Sequence, residues 1–543
     1  MISTIQTLPG NLKRHPLPIV GFVVLFAVAA YKAAGFILAG DMTGLAFVAI
    51  AVAICAMVVA ILNDWRKGLY FFLAWLLFED FARKYLGNNM AIYFAKDFLL
   101  LVIYISFLAA YRRKEVTGFR PPFLIPVMLL VWFGVIQVFN PASTHIMYGL
   151  LGFKVFFYYI PLVLIGYALI NSEAELRRFF FLNLIAATVV VSLGIAQAIL
   201  GHTFLNPTNI AEEIRELSTN YRVSPISGLI MYRPTSVFVS AGRFGDFLLV
   251  TWLLAFGFSG YLLLRHKRGR TFVFVLMGLT AAALALCASR GVVLWSAGSA
   301  VFGTVAFFWG APWRQREVVR VLRAVQRAAL GIVLGIALLF FLFPEALLSR
   351  VAFYTETLSP SSSASQLQNR TWDYPVQNVL GAFSYERWPY GYGIGTCSLG
   401  VQYVAKFFHA KPPVIGVESG FGTIVVEMGI GGLFLWFVMS FAIVFSAWRV
   451  VKSLRGSPWF PIAFLIFWYA GLLLFPLTFA GMQPYQDYML NAFLWLLLGI
   501  LFRLPTLAAS AQFAAVQPGF PFQQSFQQPL RGHLHRPFQQ PPH

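Results

Sequence analysis

The stretch FFFLNLIAATVVVSLGIAQAILG, residues 179–201, is 23 residues long and contains no aspartate, glutamate, lysine or arginine. A helix needs about 20 predominantly apolar residues to cross the roughly 30 Å hydrocarbon core of a bilayer. Such a helix satisfies every backbone N–H and C=O group within its own segment, which lipid cannot do for it. The stretch therefore predicts a membrane-spanning helix.

Similar stretches recur along the chain of 543 residues, of which 59% are hydrophobic and only 11% are charged. Together with a mean hydropathy of +0.73, this composition excludes an ordinary soluble globular protein. The sequence therefore predicts an all-α polytopic membrane protein with about 14 transmembrane helices, within a range of 12–14. The predicted spans are residues 18–38, 45–62, 68–79, 91–110, 121–139, 147–170, 179–201, 245–264, 271–288, 291–309, 329–343, 424–447, 459–480 and 486–503.

The formal net charge of +20 is carried by short basic clusters between the apolar stretches, such as Arg112, Arg113 and Lys114. When the N-terminus is placed in the cytoplasm, most of these clusters fall there too, as the positive-inside rule requires. The clusters therefore indicate membrane topology, with both chain ends cytoplasmic. They do not indicate a nucleic-acid partner.

This topology divides the chain into a transmembrane domain, residues 1–507, and a cytoplasmic tail, residues 508–543. The tail is rich in proline and glutamine and repeats Phe-Gln-Gln, so we expect it to be disordered. Two long segments of the domain, residues 202–244 and 344–423, are predicted to be outer loops. They are either ordinary extracytoplasmic decoration or the carriers of an anion site.

Four arginines at the predicted outer rim are candidates for binding phosphate oxygens, because the planar guanidinium group holds such oxygens in pairs. The sharpest case is Arg290, since the Ser289–Gly291 turn between two spans is too short to be a free loop. The alternative for Arg290 is a snorkelling side chain that ends a helix. The four candidates are Arg233, Arg243, Arg290 and Arg370.

Three carboxylates in the second outer loop and the span after it are candidates for proton transfer or substrate contact: Glu418, Glu427 and Asp373. Glu418 stands at the mouth of a predicted span, where it could act as a general base. Its alternative role is to cap the helix that follows, where the helix dipole stabilises a carboxylate. Glu427 could instead pair with a neighbouring helix.

Four charged residues after the third predicted span are spaced as two helical ion pairs, Glu79 with Arg83 and Asp80 with Lys84. Pairs four residues apart on one helix stabilise it by about 0.2–0.5 kcal/mol each. We therefore expect these residues to have a structural role.

The segment Tyr390–Gly395 contains three glycines but does not follow a strand, so it is a weak nucleotide-binding motif. Its glycines favour a backbone that bends close to a sugar. Aromatic residues nearby in sequence, including Trp372 and Tyr390, could contact such a ligand.

These residues resemble the O-antigen polymerase and ligase superfamily of bacterial polysaccharide assembly, over roughly residues 150–500. The resemblance is carried by Arg-Pro-Thr-Ser at residues 233–236, by the Ser289–Gly291 turn, and by the outer loop from Asn369 to Gly432. It implies a GT-C-like fold with a large helical periplasmic loop. It also implies a metal-independent glycosyltransferase without a cofactor, which uses undecaprenyl-pyrophosphate-linked glycans at the bacterial inner membrane.

Ligases of this superfamily carry a histidine just before the last helices, and this chain has Val417-Glu418-Ser419 there. The expected function is therefore a polymerase of exopolysaccharide or O-antigen repeat units, with flippase and chain-length regulator proteins as partners. Glu418, Arg290 and Arg370 would be catalytic. The residues expected to bind the substrate are Arg233, Arg243, Trp372, Asp373, Tyr390 and Glu427. An O-antigen ligase is the alternative within this class, and a transporter or flippase is the alternative outside it.

Overall fold

The structure of the protein is a computed structural model. It describes residues 42–207, 212–265, 268–312, 340–398, 419–475 and 483–516, with isolated positions between these ranges. The predicted spans 18–38 and 329–343 lie largely outside the described residues.

Helices dominate the described residues, as the sequence predicts. In chain order they are α1 Met42–Asn63, α2 Trp65–Tyr85, α3 Met90–Arg112, α4 Leu124–Val138, α5 Ile146–Phe157, α6 Leu162–Leu169, α7 Glu173–Leu200, α8 Glu212–Ser218, α9 Ala241–Leu264, α10 Arg270–Leu286, α11 Arg290–Gly310, α12 Pro344–Leu358, α13 Tyr374–Ala382, α14 Gly420–Ser453, α15 Phe460–Leu474, α16 Gln483–Gln486 and α17 Tyr488–Val516.

Eight helical segments of the described chain are long and apolar enough to cross a membrane. These are α1, α3, α5 together with α6, α7, α9, α11, α14 and α17. Three further helices, α4, α10 and α15, are apolar but shorter. The chain is therefore an all-α polytopic membrane protein, and the predicted spans within the described residues fall on one or two helices each.

Three boundaries differ from the prediction. The predicted span 147–170 is two helices, α5 and α6, and Pro161, which lacks a backbone N–H, lies in the turn between them. The span predicted at 68–79 belongs to the 21-residue α2, which starts early because the Asp64 side chain accepts the N–H of Arg66. Helix α17 continues past residue 507 to Val516, because the alanine-rich sequence there favours a helix.

A two-stranded hairpin in the 202–244 loop is a small departure from the all-α prediction. Strand β1, Tyr221–Val223, pairs antiparallel with β2, Ile230–Tyr232. The Glu356 carboxylate of α12 accepts the backbone N–H groups of Ile226 and Ser227 at the hairpin tip, at 2.8 and 3.1 Å. The two outer loops predicted from the sequence are therefore joined to each other.

Helix α17 is packed against α6 through two glycines. A Cβ atom added at Gly166 would lie 2.1 Å from the Leu496 carbonyl oxygen, and one added at Gly499 would lie 2.1 Å from the Val163 carbonyl oxygen. Small residues allow helix backbones in membranes to approach this closely. The contact fixes α17 within the bundle and positions its first residues for the site described below.

Candidate functional site

The segment that leads into α9, residues 232–240, is called the strap here and contains the Arg-Pro-Thr-Ser motif. The side-chain oxygen of Gln197 on α7 accepts the N–H groups of Thr235 and Ser236 at 2.8 and 2.6 Å. The Lys84 ammonium of α2 donates to the Thr235 hydroxyl and to the Ser236 carbonyl, both at 2.9 Å. All four residues are buried, so the strap is held rigidly by polar groups of two membrane helices.

An ion-pair network joins the first turn of α9 to α2 and α17. The Arg243 guanidinium pairs with Asp80 at 2.8 Å and with Asp487 at 3.2 Å. Asp80 is fully buried, pairs with Arg83 at 3.1 Å, and accepts the N–H of Val239 at 3.2 Å. Two carboxylates therefore compensate the charge of Arg243, which the sequence placed in the substrate site.

The ion pairs predicted within α2 are not the ones observed. Arg83 pairs with Asp80, three residues away, while Glu79 pairs with Lys96 of α3 at 2.9 Å and Lys84 bonds the strap. The prediction was wrong because it considered only neighbours on one helix. Buried charges take their partners from any helix within reach.

A neighbouring pair adds α5 to this end of the bundle. Lys154 of α5 pairs with Asp97 of α3. The Lys96 and Lys154 ammonium groups lie 3.5 and 4.8 Å from the centre of the Tyr93 ring, a cation–π arrangement. Charged groups of α2, α3, α5 and α9, with Asp487 just before α17, thus collect at one end of the helices.

Arg233, at the start of the strap, is buried without compensation. Its side chain is 9% exposed and makes no hydrogen bond or ion pair within the described residues, and its Nε atom is fully buried. Burial, together with the charge of Arg222, lowers the pKa of the Arg233 guanidinium. A buried cation that lacks a partner favours an anionic ligand.

Arg290 lies close to the same region through α12. Its guanidinium donates to the Gln366 side chain and lies 5.3 Å from the centre of the Phe353 ring. Phe353 packs with Met231, two residues before Arg233. The Phe353 ring thus links Arg290 to the strand residue Met231, two positions before Arg233, and we call Arg233 and Arg290 the arginine site.

Another buried arginine, Arg350, was not identified from the sequence. It donates to the carbonyl oxygens of Leu286, Ala346 and Tyr232 at 3.3, 2.8 and 3.1 Å. Burial lowers the pKa of its guanidinium. Arg350 thus fastens α12 to the end of α10 and to the residue before Arg233. The sequence feature that could have identified Arg350 is its position within the amphipathic pattern of α12.

Backbone strain accompanies both members of the arginine site. Ser236 and Ala288 have φ angles of 52° and 49°, in the left-handed region that residues other than glycine rarely adopt. Each costs on the order of 1 kcal/mol or more, and such strain persists only where surrounding contacts impose it. Strained residues therefore lie three positions after Arg233 and two positions before Arg290.

The glycine loop, residues 390–395, fits against protein backbone. A Cβ atom on Gly395 would lie 2.0 Å from the Tyr148 carbonyl oxygen, and one on Gly391 would lie 2.5 Å from the Glu427 carbonyl oxygen. Both glycines have positive φ angles, of 91° and 82°. The glycines are therefore required for packing between α5 and α14, whether or not a sugar also binds there.

Glu427 holds this loop from within α14. One oxygen of its carboxylate accepts the N–H of Cys397 at 2.7 Å and the Ser398 hydroxyl at 3.2 Å, and the residue is completely buried. Two residues later, Gly429 interrupts the helix, with φ 70° and ψ −173°. The Pro389 carbonyl accepts the N–H of Ile430 at 3.3 Å, so the chain beside the glycine loop fills the break in α14.

Four further predicted residues lie between α12 and α14, in the segment predicted to be the second outer loop. Trp372 and Tyr390 are 70% and 79% exposed, and Asp373 is half-buried. Arg370 lies in the π-helical turn Asn369–Asp373. Two large aromatic surfaces are therefore open to a ligand.

Glu418 lies outside the described residues. Its neighbour Ser419 is the N-cap of α14 and accepts the N–H of Gly422 at 3.1 Å through its hydroxyl. The capping role considered for Glu418 thus belongs to Ser419.

No protein-family model matches this chain, and no curated protein matches it either.

Proposed function

We propose that this protein is a glycosyltransferase that polymerises undecaprenyl-pyrophosphate-linked exopolysaccharide or O-antigen repeat units. In this proposal the chain has a GT-C-like fold in a bacterial inner membrane, with both termini cytoplasmic and the arginine site at the periplasmic face. The observation that carries the proposal is the burial of Arg233 without a counter-charge at the end of the membrane helices. A pyrophosphate group attached to a membrane lipid is an anion that reaches this depth.

The proposed reaction needs no metal. A hydroxyl group of one lipid-linked repeat unit attacks the anomeric carbon of a second lipid-linked glycan, and pyrophosphate leaves with inversion. Arg233 and Arg290 stabilise the charge that develops on the leaving group. The exposed rings of Trp372 and Tyr390 offer surfaces on which sugar rings can lie. Glu418 is the sequence-based candidate for taking the acceptor proton.

Surface polysaccharide from a deletion strain tests this proposal and separates it from ligation. Loss of a polymerase leaves single repeat units and no long polymer, whereas loss of a ligase leaves long polymer attached to its carrier lipid. We expect single units, with polymer restored by the wild-type gene but not by Arg233→Gln at normal protein level. Polymer of normal length and attachment in the deletion strain would refute both activities.

A transporter or flippase is the second candidate, because α14 is interrupted at Gly429 beside the buried Glu427. Interrupted membrane helices with buried charges are typical of transport paths. Purified protein in liposomes decides the matter: a polymerase lengthens lipid-linked repeat units without moving them, and a flippase moves them between leaflets without lengthening them.

A further inference from the structure

We propose that Asp246 is the group that takes the proton from the acceptor hydroxyl; this inference rests on the proposed glycosyl transfer. Asp246 lies in α9, three residues after Arg243 and thus on nearly the same face of the helix. It is half-buried, and its carboxylate makes no hydrogen bond or ion pair within the described residues. An unpaired carboxylate among membrane helices is a functional candidate by default.

Three charged residues and one tyrosine from four parts of the chain interact electrostatically with Asp246. Arg243 on α9, Asp487 before α17 and Arg233 on the strap all act on it electrostatically. Asp246 in turn acts on Tyr469 of α15. Asp246 therefore lies within electrostatic range of both the ion-pair network and the arginine site.

The contacts of these neighbours explain why Asp246 has no ion-pair partner among the described residues. Arg243 is occupied by Asp80 and Asp487, and Asp487 also accepts the N–H groups of Met489 and Leu490 at 3.0 and 3.2 Å. Among the residues that the structure describes, the Arg233 side chain has no partner, and it forms no ion pair with Asp246. Two opposite charges thus lie within electrostatic range of each other without forming an ion pair.

The strap separates the two residues along the chain. Arg233 lies near its start and Asp246 lies after it in α9, and the strap backbone is held by Lys84, Gln197 and Asp80. A ligand that presents an anion to Arg233 and a hydroxyl to Asp246 would give both side chains the partner that they lack.

In the proposed step one bond forms and one breaks at the anomeric carbon. The acceptor oxygen forms its bond to the anomeric carbon, and the bond from that carbon to the pyrophosphate oxygen breaks. The electron pair of the broken bond stays on the pyrophosphate, whose charge Arg233 stabilises. The proton of the acceptor hydroxyl moves to the Asp246 carboxylate, which later releases it to water.

The test uses purified full-length protein and undecaprenyl-pyrophosphate-linked repeat units extracted from the deletion strain. Asp246→Asn removes the basic oxygen and should slow turnover by about 10² to 10⁴ fold. Binding of undecaprenyl pyrophosphate, followed by tryptophan fluorescence, should stay within threefold of wild type. Asp246→Glu keeps a carboxylate and should retain measurable turnover. Turnover of the wild type should rise with pH as the base loses its proton, and Asp246→Asn should lack this rise.

The matched control is Asp97→Asn, which removes another carboxylate at the same end of the bundle, one that pairs with Lys154. We expect its turnover within threefold of wild type; if it does not insert stably, Asp64→Asn at the start of α2 replaces it. Turnover of Asp246→Asn within threefold of wild type, or an equal loss in the control, would overturn the role of Asp246 and leave the polymerase intact. A wild type that makes no polymer from these units would instead refute the proposed function itself.

Discussion

The arginines of residues 202–244 and 344–423 differ in what they contact, and this difference separates structural residues from binding residues. The Arg350 guanidinium donates hydrogen bonds to backbone carbonyl groups, and Arg243 forms ion pairs with two carboxylates. Arg233 has no partner within the described residues, and its Nε is buried. Only an arginine with free donors can bind a ligand without first losing a contact in the fold, so Arg233 is the better anion site.

We expect the Arg290→Lys variant to make at least about tenfold less polymer than the wild type, although the substitution keeps the positive charge. A lysine is a point charge, and it cannot hold Gln366 and paired phosphate oxygens in the planar geometry of a guanidinium. Polymer from a complemented deletion strain, compared at equal protein level, measures the effect. The control is Arg113→Lys, because Arg113 is exposed and lies at the other end of the bundle. This control should leave the amount of polymer unchanged. Equal polymer from both variants would remove Arg290 from the site.

The charged residues of α2 show how far sequence reasoning reaches at the level of single residues. Their spacing identified a helix correctly, because neighbours along a helix are fixed by its period. Their partners were not predictable, since Lys96 and Arg243 belong to helices whose packing no local pattern encodes. The same reason explains why Arg233 and Arg290 were identified as candidates while their common contact through Phe353 was not.

Glu356 makes the link between the hairpin and α12 depend on pH. Loss of hydration raises the pKa of Glu356, but the hydrogen bonds from Ser227 and Ile226 outweigh it and hold the pKa below its usual value. The link is therefore present above the pKa of the unfolded chain and is lost as the pH falls through the lowered pKa of the folded state. Glu356→Gln should loosen the link at neutral pH. Faster hydrogen exchange at Ile226 and Ser227 in this variant is the expected result, and unchanged exchange would contradict it.

The glycine loop and the interrupted helix α14 form one structural unit. The loop fills the break at Gly429, and Glu427 holds the loop in place. Hydropathy predicted the span 424–447 because apolar composition is a local property. The break was not predicted, because it depends on backbone contacts with residues that lie about 40 positions earlier in the chain.

We expect Gly395→Ala to destabilise the protein by about 1–3 kcal/mol or more, since the new Cβ atom would meet the Tyr148 carbonyl at a φ angle that alanine avoids. Thermal unfolding of the detergent-purified protein measures the loss. The matched control is Gly298→Ala in α11, where nothing lies within 4 Å of the added atom. This control should be neutral or stabilising by up to about 1 kcal/mol. If both variants unfold at the same temperature, the glycine loop is not packed as described.

The molecule as a whole has two polar ends with different chemistry. At one end lie the ion-pair network and the strap. At the other, Arg265 pairs with Glu173 at 2.8 Å, and Arg66 pairs with Glu175 at 3.6 Å. Helix α17 begins at the first end, where Asp487 precedes it, and its 29 residues carry the chain about 40 Å away.

Removal of residues 517–543 should therefore leave polymer synthesis unchanged. The cut falls after Val516, at the far end of α17 from the arginine site, so it removes no contact described for that site. Polymer length in a deletion strain that carries the truncated gene is the measurement, with membrane protein level as the control. Shorter polymer at normal level would show that the tail takes part in synthesis, and would count against its dispensability.

The Asp80–Arg243–Asp487 network also constrains how the chain is made. A ribosome delivers these three residues in that order, and the last of them emerges just before α17. Until then Arg243 has one carboxylate instead of two, and α6 lacks the helix that covers Gly166. A nascent chain that stalls before α17 thus keeps an unfinished charge pair and an uncovered helix face within the bilayer. Both are features by which quality-control proteases could distinguish an incomplete chain from a finished one.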